Sequence, residues 1–469
     1  MGKNKIIFAY IKMNNIKVLI LGYYGQGDAG DEAILSCLSK KIKENFNADI
    51  TVVSGDIEYT KKEHNLHAVR SVFGGNIFSK TLNYINLIDK IRNYDIFVLG
   101  GGGLISELFG RKSRKKTLFY LSLIKRAKLL GKKTIVYSIG VSEIKTKKFA
   151  RKIKEGLEYA DIISVRDEKS REILERIGVK KEINILPDPA LLLEPEKDDK
   201  IIREENISDK KIIGIALTDF IRPYMDSFAR SIDKIIEKYD AEIVLITTAD
   251  KPGETKASIE KKMFEKIKNK SSVRIIKRYP PRKLLGLFSK FNLVISMRLH
   301  MLIFSAISGV PFIGIPSDEK IKNFLDIMKQ EEYSAMPEEA EKIEELVENS
   351  INNRKRKREI RKRYEELKEE IENKFQKVFD VKNLFLEINN WKTYKNAAIV
   401  KDDDYFPFMS LPAMENQVRL WKMFKEKNVP LLMAAVPLGA SVFVFDKNDN
   451  MPDTNTITIN KNEAGKILI

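Results

Sequence analysis

Only three histidines occur among the 469 residues, and one of them, His300, lies two positions after Arg298 in "NLVISMRLHMLIFSAISGVPFIGI" (292 to 315). An imidazole, with an ordinary pKa of ~6.5, beside a guanidinium suits an anionic substrate that needs a proton moved. A satisfied core histidine is the common alternative, but the neighbouring arginine argues against simple burial. Read as extended backbone at the end of a strand, positions 298 and 300 project to the same side. A second arginine, Arg166 in "ISVRDEKSREIL" (163 to 174), ends another strand-like run, with Asp167 or Ser170 able to cap the following helix. There it either pairs with a nearby acid or binds an anion.

Two glycine-rich stretches could bring backbone close to a ligand. In "LGYYGQGDAGDEAIL" (21 to 35), Gly22, Gly25, Gly27 and Gly30 follow a strand and open a helix. The Lys-Ser/Thr pair of a nucleotide-binding loop is missing. Asp31 and Glu32 suit the first turn of a helix but would repel a bound phosphate. The loop therefore fits neutral hydroxyl groups, with a purely structural turn and cap as the alternative. "VLGGGGLISE" (98 to 107) carries four consecutive glycines, whose backbone entropy cost points to close approach of a ligand or of another domain.

The elements that must position these residues form a repeating pattern. "IKVLILG", "ITVVSG", "IFVLGGGG", "TIVYSIG" and "IISVRD" alternate with amphipathic runs, the signature of a parallel sheet with helical crossovers. A polar stretch, 194 to 211, reads as a linker. The alternation then restarts with "IIGIALT", "EIVLITT", "VRIIKR", "NLVISM" and "PFIGI", with helices near 225 to 238, 254 to 268, 282 to 290 and 301 to 308. The expected fold is α/β: a Rossmann-like domain over 1–195 and a second over 196–380, facing each other across a cleft lined by the carboxyl ends of both sheets. Residues 337 to 380 are helical and charged, with Ile360, Tyr364, Leu367, Ile371, Phe375 and Val378 on one face that should pack on a domain.

Composition narrows the function classes. A formal charge of +18 favours anionic partners, or serves only as a lysine-rich solubilising surface. The chain shows neither zinc-knuckle spacing nor an aromatic-basic RNA signature, so no nucleic-acid partner is expected. The single cysteine, Cys37, excludes an intramolecular disulfide and points to a reduced, cytoplasmic compartment. The amino terminus does not read as a signal peptide, and the longest uncharged run (428 to 445) is broken by Pro430, Pro437 and Gly439.

Taken in order, "GYYGQGDAGDEAIL", "LGGGGLISE", "YSIGV", "SVRDEKS", "PDPALLL" and "SMRLHMLIFSAISGVPFIGI" followed by "DEKI" resemble the polysaccharide pyruvyl transferase family over about residues 16 to 330, in particular its cell-surface-polymer branch of the CsaB type. The resemblance implies a GT-B-like pair of Rossmann domains, acceptor side first and donor side second. It implies transfer of a pyruvyl group from phosphoenolpyruvate onto two hydroxyls of a sugar, commonly N-acetylmannosamine, in a lipid-linked secondary cell-wall polymer precursor. The resulting ketal carboxylate would anchor surface-layer proteins. Arg166, Arg298 and Leu299 match donor-binding positions, and His300 matches the catalytic histidine. Gly27, Asp28, Asp31, Gly102, Glu107, Asp318 and Lys320 are the acceptor-side expectations, with Ser317 standing where an aromatic residue is common. No cofactor or metal is expected in this region, the expected location is the cytoplasm, at the inner face of the membrane where the precursor lies, and the oligomeric state is open.

Residues 381–469 fall beyond the resemblance. "NAAIVKDDDYFPFMSLPAMENQVRLWKMFKEKNVPLLMAAVPLG" (396 to 439) looks like the opening of a polysaccharide-deacetylase-type barrel, with Asp402, Asp403 and Asp404 at the place of its base and metal ligands. No histidine follows His300, so a truncated, inactive extension is expected, with an ordinary acidic turn as the alternative. Two other functions compete with pyruvyl transfer: a nucleotide-sugar glycosyltransferase of the same architecture, and a non-enzymatic binder of anionic glycans.

Overall fold

The computed structural model describes residues 15–71, 84, 86–108, 110–196, 200–208, 210–248 and 258–379. The extension from 381 onward, with Asp402, Asp403 and Asp404, lies outside the described residues.

The first sheet comprises β1 (Ile16–Leu21), β2 (Ala48–Ser54), β3 (His67–Arg70), β4 (Ile96–Leu99), β5 (Gly102–Ile105), β6 (Lys133–Val141), β7 (Ile162–Val165) and β8 (Ile183–Ile185). Their order is β3-β2-β1-β4-β6-β7-β8, with β5 beside β6. The second sheet holds β9 (Lys211–Ala216), β10 (Ala241–Ile246), β11 (Val273–Ile276), β12 (Leu293–Ser296) and β13 (Phe312–Gly314), ordered β11-β10-β9-β12-β13. All their pairings are parallel. The central strands are near-continuous aliphatic runs because helices cover both faces; β4, β10 and β12 are buried along their whole length. In each sheet the strand order reverses, between β1 and β4 and again between β9 and β12. A crevice opens at the carboxyl ends of such strands, and the loops that leave them carry the chemistry.

The helices used below are α1 (Ala29–Asn45), α2 (Lys147–Leu157), α3 (Glu168–Arg176), α4 (Leu299–Ile307), α5 (Glu319–Met328), α6 (Ala340–Ile351) and α7 (Arg354–Phe379). The stretch read as a linker is partly built into the fold, since it contains a short helix, Lys200–Glu204, and buries Ile201 and Ile207. The apolar face expected on the last helix is buried at all six positions, Ile360 through Val378. α7 packs on the first half as well as the second. Phe375 meets Tyr137 of β6 edge-on at 6.1 Å, and Lys41 of α1 reaches Glu372 at 3.5 Å. No described helix is long and apolar enough to cross a membrane.

The four-glycine run differs from expectation in an informative way. Its last two members begin β5, and the close approach it permits is to α1 of the same half. A Cβ at Gly100 would stand 2.4 Å from the Tyr24 hydroxyl, one at Gly101 2.9 Å from Ile34, and one at Gly102 2.7 Å from Asp31. Glycines here let α1 and its loop settle onto the strand end. β3 (HAVR), β5 (GGLI) and β8 (INI) escape a sequence reading because each carries only two apolar residues and so no aliphatic run to mark it.

Candidate active site

The loop after β1 turns through Gly25 and Gly27, whose φ values of +65° and +83° lie in the left-handed region that favours glycine. Asp28 then caps α1, its Oδ1 accepting from the amides of Gly30 (2.9 Å) and Asp31 (3.4 Å). Glu32, expected only to complement the helix dipole, is a buried strut: Oε1 accepts from the Gly25 amide at 2.7 Å, and Oε2 lies 2.9 Å from His64 Nε2. The amide of Ala29 donates to the Thr248 carbonyl at 3.2 Å, so this loop is bonded to the end of the β10 segment in the second sheet.

Across the crevice, β12 stops at Ser296, whose hydroxyl accepts from the Arg298 amide and donates to its carbonyl, both at 2.9 Å. The expectation of extended backbone through position 300 needs correction. Arg298 is the N-cap of α4, and His300 is already in its first turn. Helical geometry makes the two side chains diverge. Arg298 Nε donates to the Leu217 carbonyl at 3.2 Å, and its Nη1 stands 3.5 Å from Asp28 Oδ2. His300 instead lies flat against α1, so close that a Cβ at Gly30 would fall 1.8 Å from its Nδ1. Its other nitrogen, Nε2, is 3.6 Å from Asp188 Oδ2.

These groups converge on one small cavity of about 90 Å³ lined by Asp28, Gly30, Arg298, Leu299, His300, Asp318 and Lys320, together with Thr218 and Thr248. Lys320 Nζ pairs with Asp318 Oδ2 at 2.9 Å, while Asp318 Oδ1 and the Thr248 hydroxyl are buried without a partner among the described residues. Ser317 turns its hydroxyl onto the Met297 carbonyl at 3.2 Å. Asp31 sits just inside the loop against Gly102, which itself has φ +91°. Burial, then the carboxylates of Asp28 and Glu32, push the Asp31 carboxyl well above its usual range, with Lys320 acting against them.

Five expected site residues are not among those lining the cavity: Gly27, Asp31 and Gly102, which belong to the loop and strand end around Asp28 and α1, and Arg166 and Glu107, which are bonded elsewhere. Arg166 does not line the cavity; its guanidinium rests on Gly140, where a Cβ would come within 2.6 Å, and its Nε donates to Asp167 Oδ2 at 3.1 Å. Glu107 has both oxygens engaged, accepting from Arg114, from the Thr146 hydroxyl and from the amides of Lys145 and Thr146 at the start of α2. Although burial opposes it, the hydrogen bonds from Thr146, Arg114 and these amides hold Glu107 at about 2. Its carboxylate fixes the α2 loop and leaves no lone pair aimed at a sugar.

A sequence model of the family described as polysaccharide pyruvyl transferase matches residues 28–319. The chain belongs to this family. The match starts at the Asp28 cap and ends in the first turn of α5, so it spans every cavity residue just described except Lys320, one position beyond its end. No curated protein matches the transferase. Among solved structures, a putative UDP-N-acetylglucosamine 2-epimerase from Listeria monocytogenes superposes with TM-score 0.54 at 15% identity, covering 74% of this chain and 91% of that one. Anabaena Alr3699/HepE, solved with UDP-glucose, gives 0.53 at 12%, covering 81% and 100%. The UDP-GlcNAc 2-epimerase of Methanocaldococcus jannaschii gives 0.50 at 17%, covering 73% and 94%. At such identities the likeness is one of fold, a pair of facing Rossmann-like domains of the GT-B kind.

The contact between Gly30 and His300 yields a sharp prediction for the transferase. Gly30→Ala should favour helix α1 by up to ~1 kcal/mol, yet displace the imidazole. A displacement of about 1 Å is enough to cost ~10²-fold in turnover. Thermal melting alongside a phosphate-release assay checks this, and a variant with unchanged turnover would mean that the ring need not lie where Gly30 admits it.

Proposed function

We propose that the transferase moves the pyruvyl group of phosphoenolpyruvate onto two hydroxyls of a sugar in a polysaccharide precursor, forming a cyclic ketal and releasing phosphate. The observation that carries this reading is the cavity at both switch points, where two cations and an imidazole face a set of carboxylates. Phosphoenolpyruvate brings a carboxylate and a phosphate on adjacent carbons. Arg298 and Lys320 are the cations that face the cavity, and Arg166 adds its charge next to Asp188.

The reaction needs two proton movements. One hydroxyl adds to C2 of the donor as C3 takes up a proton and becomes the methyl group. The second hydroxyl then displaces phosphate from C2, and its proton leaves with the phosphate. His300 is the imidazole in the cavity, a side chain that can both accept and donate a proton near neutral pH, and the cations stabilise the charge on the departing phosphate. Asp28 and Asp31, with the backbone at Gly27 and Gly102, offer the hydroxyl-binding side, and Asp318 with Lys320 closes the opposite wall. From the family resemblance, the acceptor sugar is N-acetylmannosamine in a lipid-linked cell-wall polymer precursor, met at the inner membrane face.

Inorganic phosphate release from phosphoenolpyruvate, measured with and without a synthetic N-acetylmannosaminyl acceptor, tests the reading. Acceptor-dependent release is expected. Release of nucleotide from a nucleotide sugar, with phosphoenolpyruvate inert, would replace it by glycosyl transfer.

In the free site Arg298 holds Asp28 only loosely, at 3.5 Å with both side chains more than a quarter exposed. A phosphate or carboxylate offering two oxygens is a better partner for the planar fork. Arg298→Ala should therefore weaken donor binding by about 1.5–3 kcal/mol, roughly tenfold to a hundredfold. Equal donor affinity in isothermal titration of the two proteins would remove Arg298 from the donor site.

A further inference from the structure

Asp188 lies beneath the cavity and has no part in the steps above. It belongs to "PDPALLL", a stretch that stands out in the sequence without pointing to any chemistry. The structure clamps it from two sides. Its Oδ1 accepts from the Ala190 amide at 3.0 Å as it caps the short 3-10 turn Pro189–Leu192. The carbonyls just before it, of Leu186 and Pro187, both face the Ser138 hydroxyl, at 2.9 and 3.2 Å. Ser138 itself takes a left-handed φ of +46° inside β6, where the register with β7 shifts. A non-glycine residue in that conformation costs on the order of 1–3 kcal/mol, and its bonds to the 186–187 segment help hold it there.

So fixed, Asp188 aims Oδ2 at His300 Nε2 across 3.6 Å, and neither atom has another partner among the described residues. The carboxylate is 6% exposed and the imidazole 16%. Two buried polar atoms left facing each other in this way are each other's means of satisfaction, since an unpartnered one costs about 1–3 kcal/mol. Burial alone would raise the Asp188 carboxyl; the imidazole, Arg166 and the Ala190 amide instead hold it below its usual range. It is thus a carboxylate at neutral pH.

We propose that Asp188 is the positioning residue of His300: its Oδ2 keeps the ring hydrogen on Nε2, so that Nδ1, on the Gly30 side, is the nitrogen that exchanges protons with substrate. A neutral imidazole has one donor and one acceptor nitrogen, and a fixed acceptor beside Nε2 selects which is which. When Nδ1 takes the proton of an acceptor hydroxyl, the ring becomes an imidazolium with both nitrogens protonated, and Asp188 stabilises that charge without itself accepting a proton. Nδ1 then returns the proton to C3 of the donor or to the phosphate, restoring the neutral tautomer. The other charges around the ring are Asp28 and Asp31 on α1, Arg298 at the head of α4, Lys320 on α5 and Arg166 behind Asp188. What His300 acts upon rests on the proposed pyruvyl transfer; the tautomer and its dependence on Asp188 do not.

Because the chain has three histidines, side-chain nitrogen NMR of histidine-labelled full-length protein resolves the question, with His300→Ala assigning the signals. In wild type the neutral His300 ring should carry its hydrogen on Nε2. In Asp188→Asn that preference should be lost and the ring should titrate about one pH unit lower. The acid limb of the kcat profile for phosphate release should move with it, and kcat should fall by at least about tenfold at unchanged KM for phosphoenolpyruvate, with Asp188→Glu restoring part of the loss. Wild-type His300 with its hydrogen on Nδ1 would overturn the proposal even if Asp188→Asn failed to fold. So would a folded Asp188→Asn whose tautomer and titration match wild type. If the NMR result holds while phosphoenolpyruvate is not turned over, the positioning role stands and the reaction assigned above falls.

Discussion

Replacing His300 by alanine should lower kcat for acceptor-dependent phosphate release by about 10²–10⁴-fold, the usual worth of a positioned acid-base group, while donor affinity stays as in wild type. The separation follows from the geometry. Arg298 and His300 diverge from the head of α4, the guanidinium toward Leu217 and Asp28, the imidazole toward Gly30 and Asp188. Removing the ring therefore leaves in place the cations proposed to hold the donor anion. It also leaves Asp188 Oδ2 facing an empty space, so some loss of stability accompanies the loss of rate. Melting the variant separates the two, because a folded protein with intact donor binding and no turnover isolates the proton-transfer role. The assignment fails if the variant keeps its kcat, or if it loses donor affinity instead.

The largest effect on stability is expected at Arg356, in the first turn of α7. Arg356 is 1% exposed, and among the described residues no carboxylate stands within ion-pair distance of its guanidinium. Its nitrogens donate to Gln330 Oε1 (2.7 Å), to the Ser350 hydroxyl at the end of α6 and to the Phe312 carbonyl of β13, and its plane stacks on the Tyr333 ring with 3.1 Å to the centroid. This one side chain ties the start of α7 to the second sheet and to the segment after α5. Arg356→Ala would take away the donor shared by Gln330 Oε1, the Ser350 hydroxyl and the Phe312 carbonyl, although the Ser350 hydroxyl keeps its bond to the Leu346 carbonyl, and would open a cavity under the ring. A loss of about 3–5 kcal/mol is expected, as for breaking other buried charged networks. Denaturant unfolding of the two proteins measures it. A change below about 1 kcal/mol would place the variant among ordinary surface substitutions and show that the α7 face alone holds the helix. Arg356→Lys should not rescue, because an ammonium cannot reproduce the planar fork or its stacking.

Arg356 also shows what a sequence hides. It falls in "RKRKREIRKR", a run that reads as a solvated basic face or a lipid-phosphate contact. One of its members is among the most buried side chains described. Periodicity placed Ile360 and the five apolar positions after it correctly on one face, but it could not show that a cation one turn earlier shares that face. The same limit explains Glu32, Glu107 and Asp188. Each is a carboxylate whose partner lies 32 to 112 residues away in the chain, in His64, Thr146 and His300 respectively. The "PDPALLL" stretch was a signal for Asp188, but nothing local to it indicates an imidazole.

Local sequence sufficed for whatever depends on near neighbours. The two runs of alternating strands and helices and the buried face of α7 follow from periodicity and aliphatic content, which act over a few residues. The ordered motifs likewise identified the family and singled out Arg298 and His300, which the fold places on one cavity. Tertiary structure alone decided the rest. That His300 rests on Gly30 and faces Asp188, that Arg298 answers Asp28 across the crevice, and that Arg166 and Glu107 are turned to other partners depend on packing between segments far apart in the chain. Hydrogen bonds and charges select partners by distance in space, and the order of residues along a chain does not encode that distance until both sheets have folded and met.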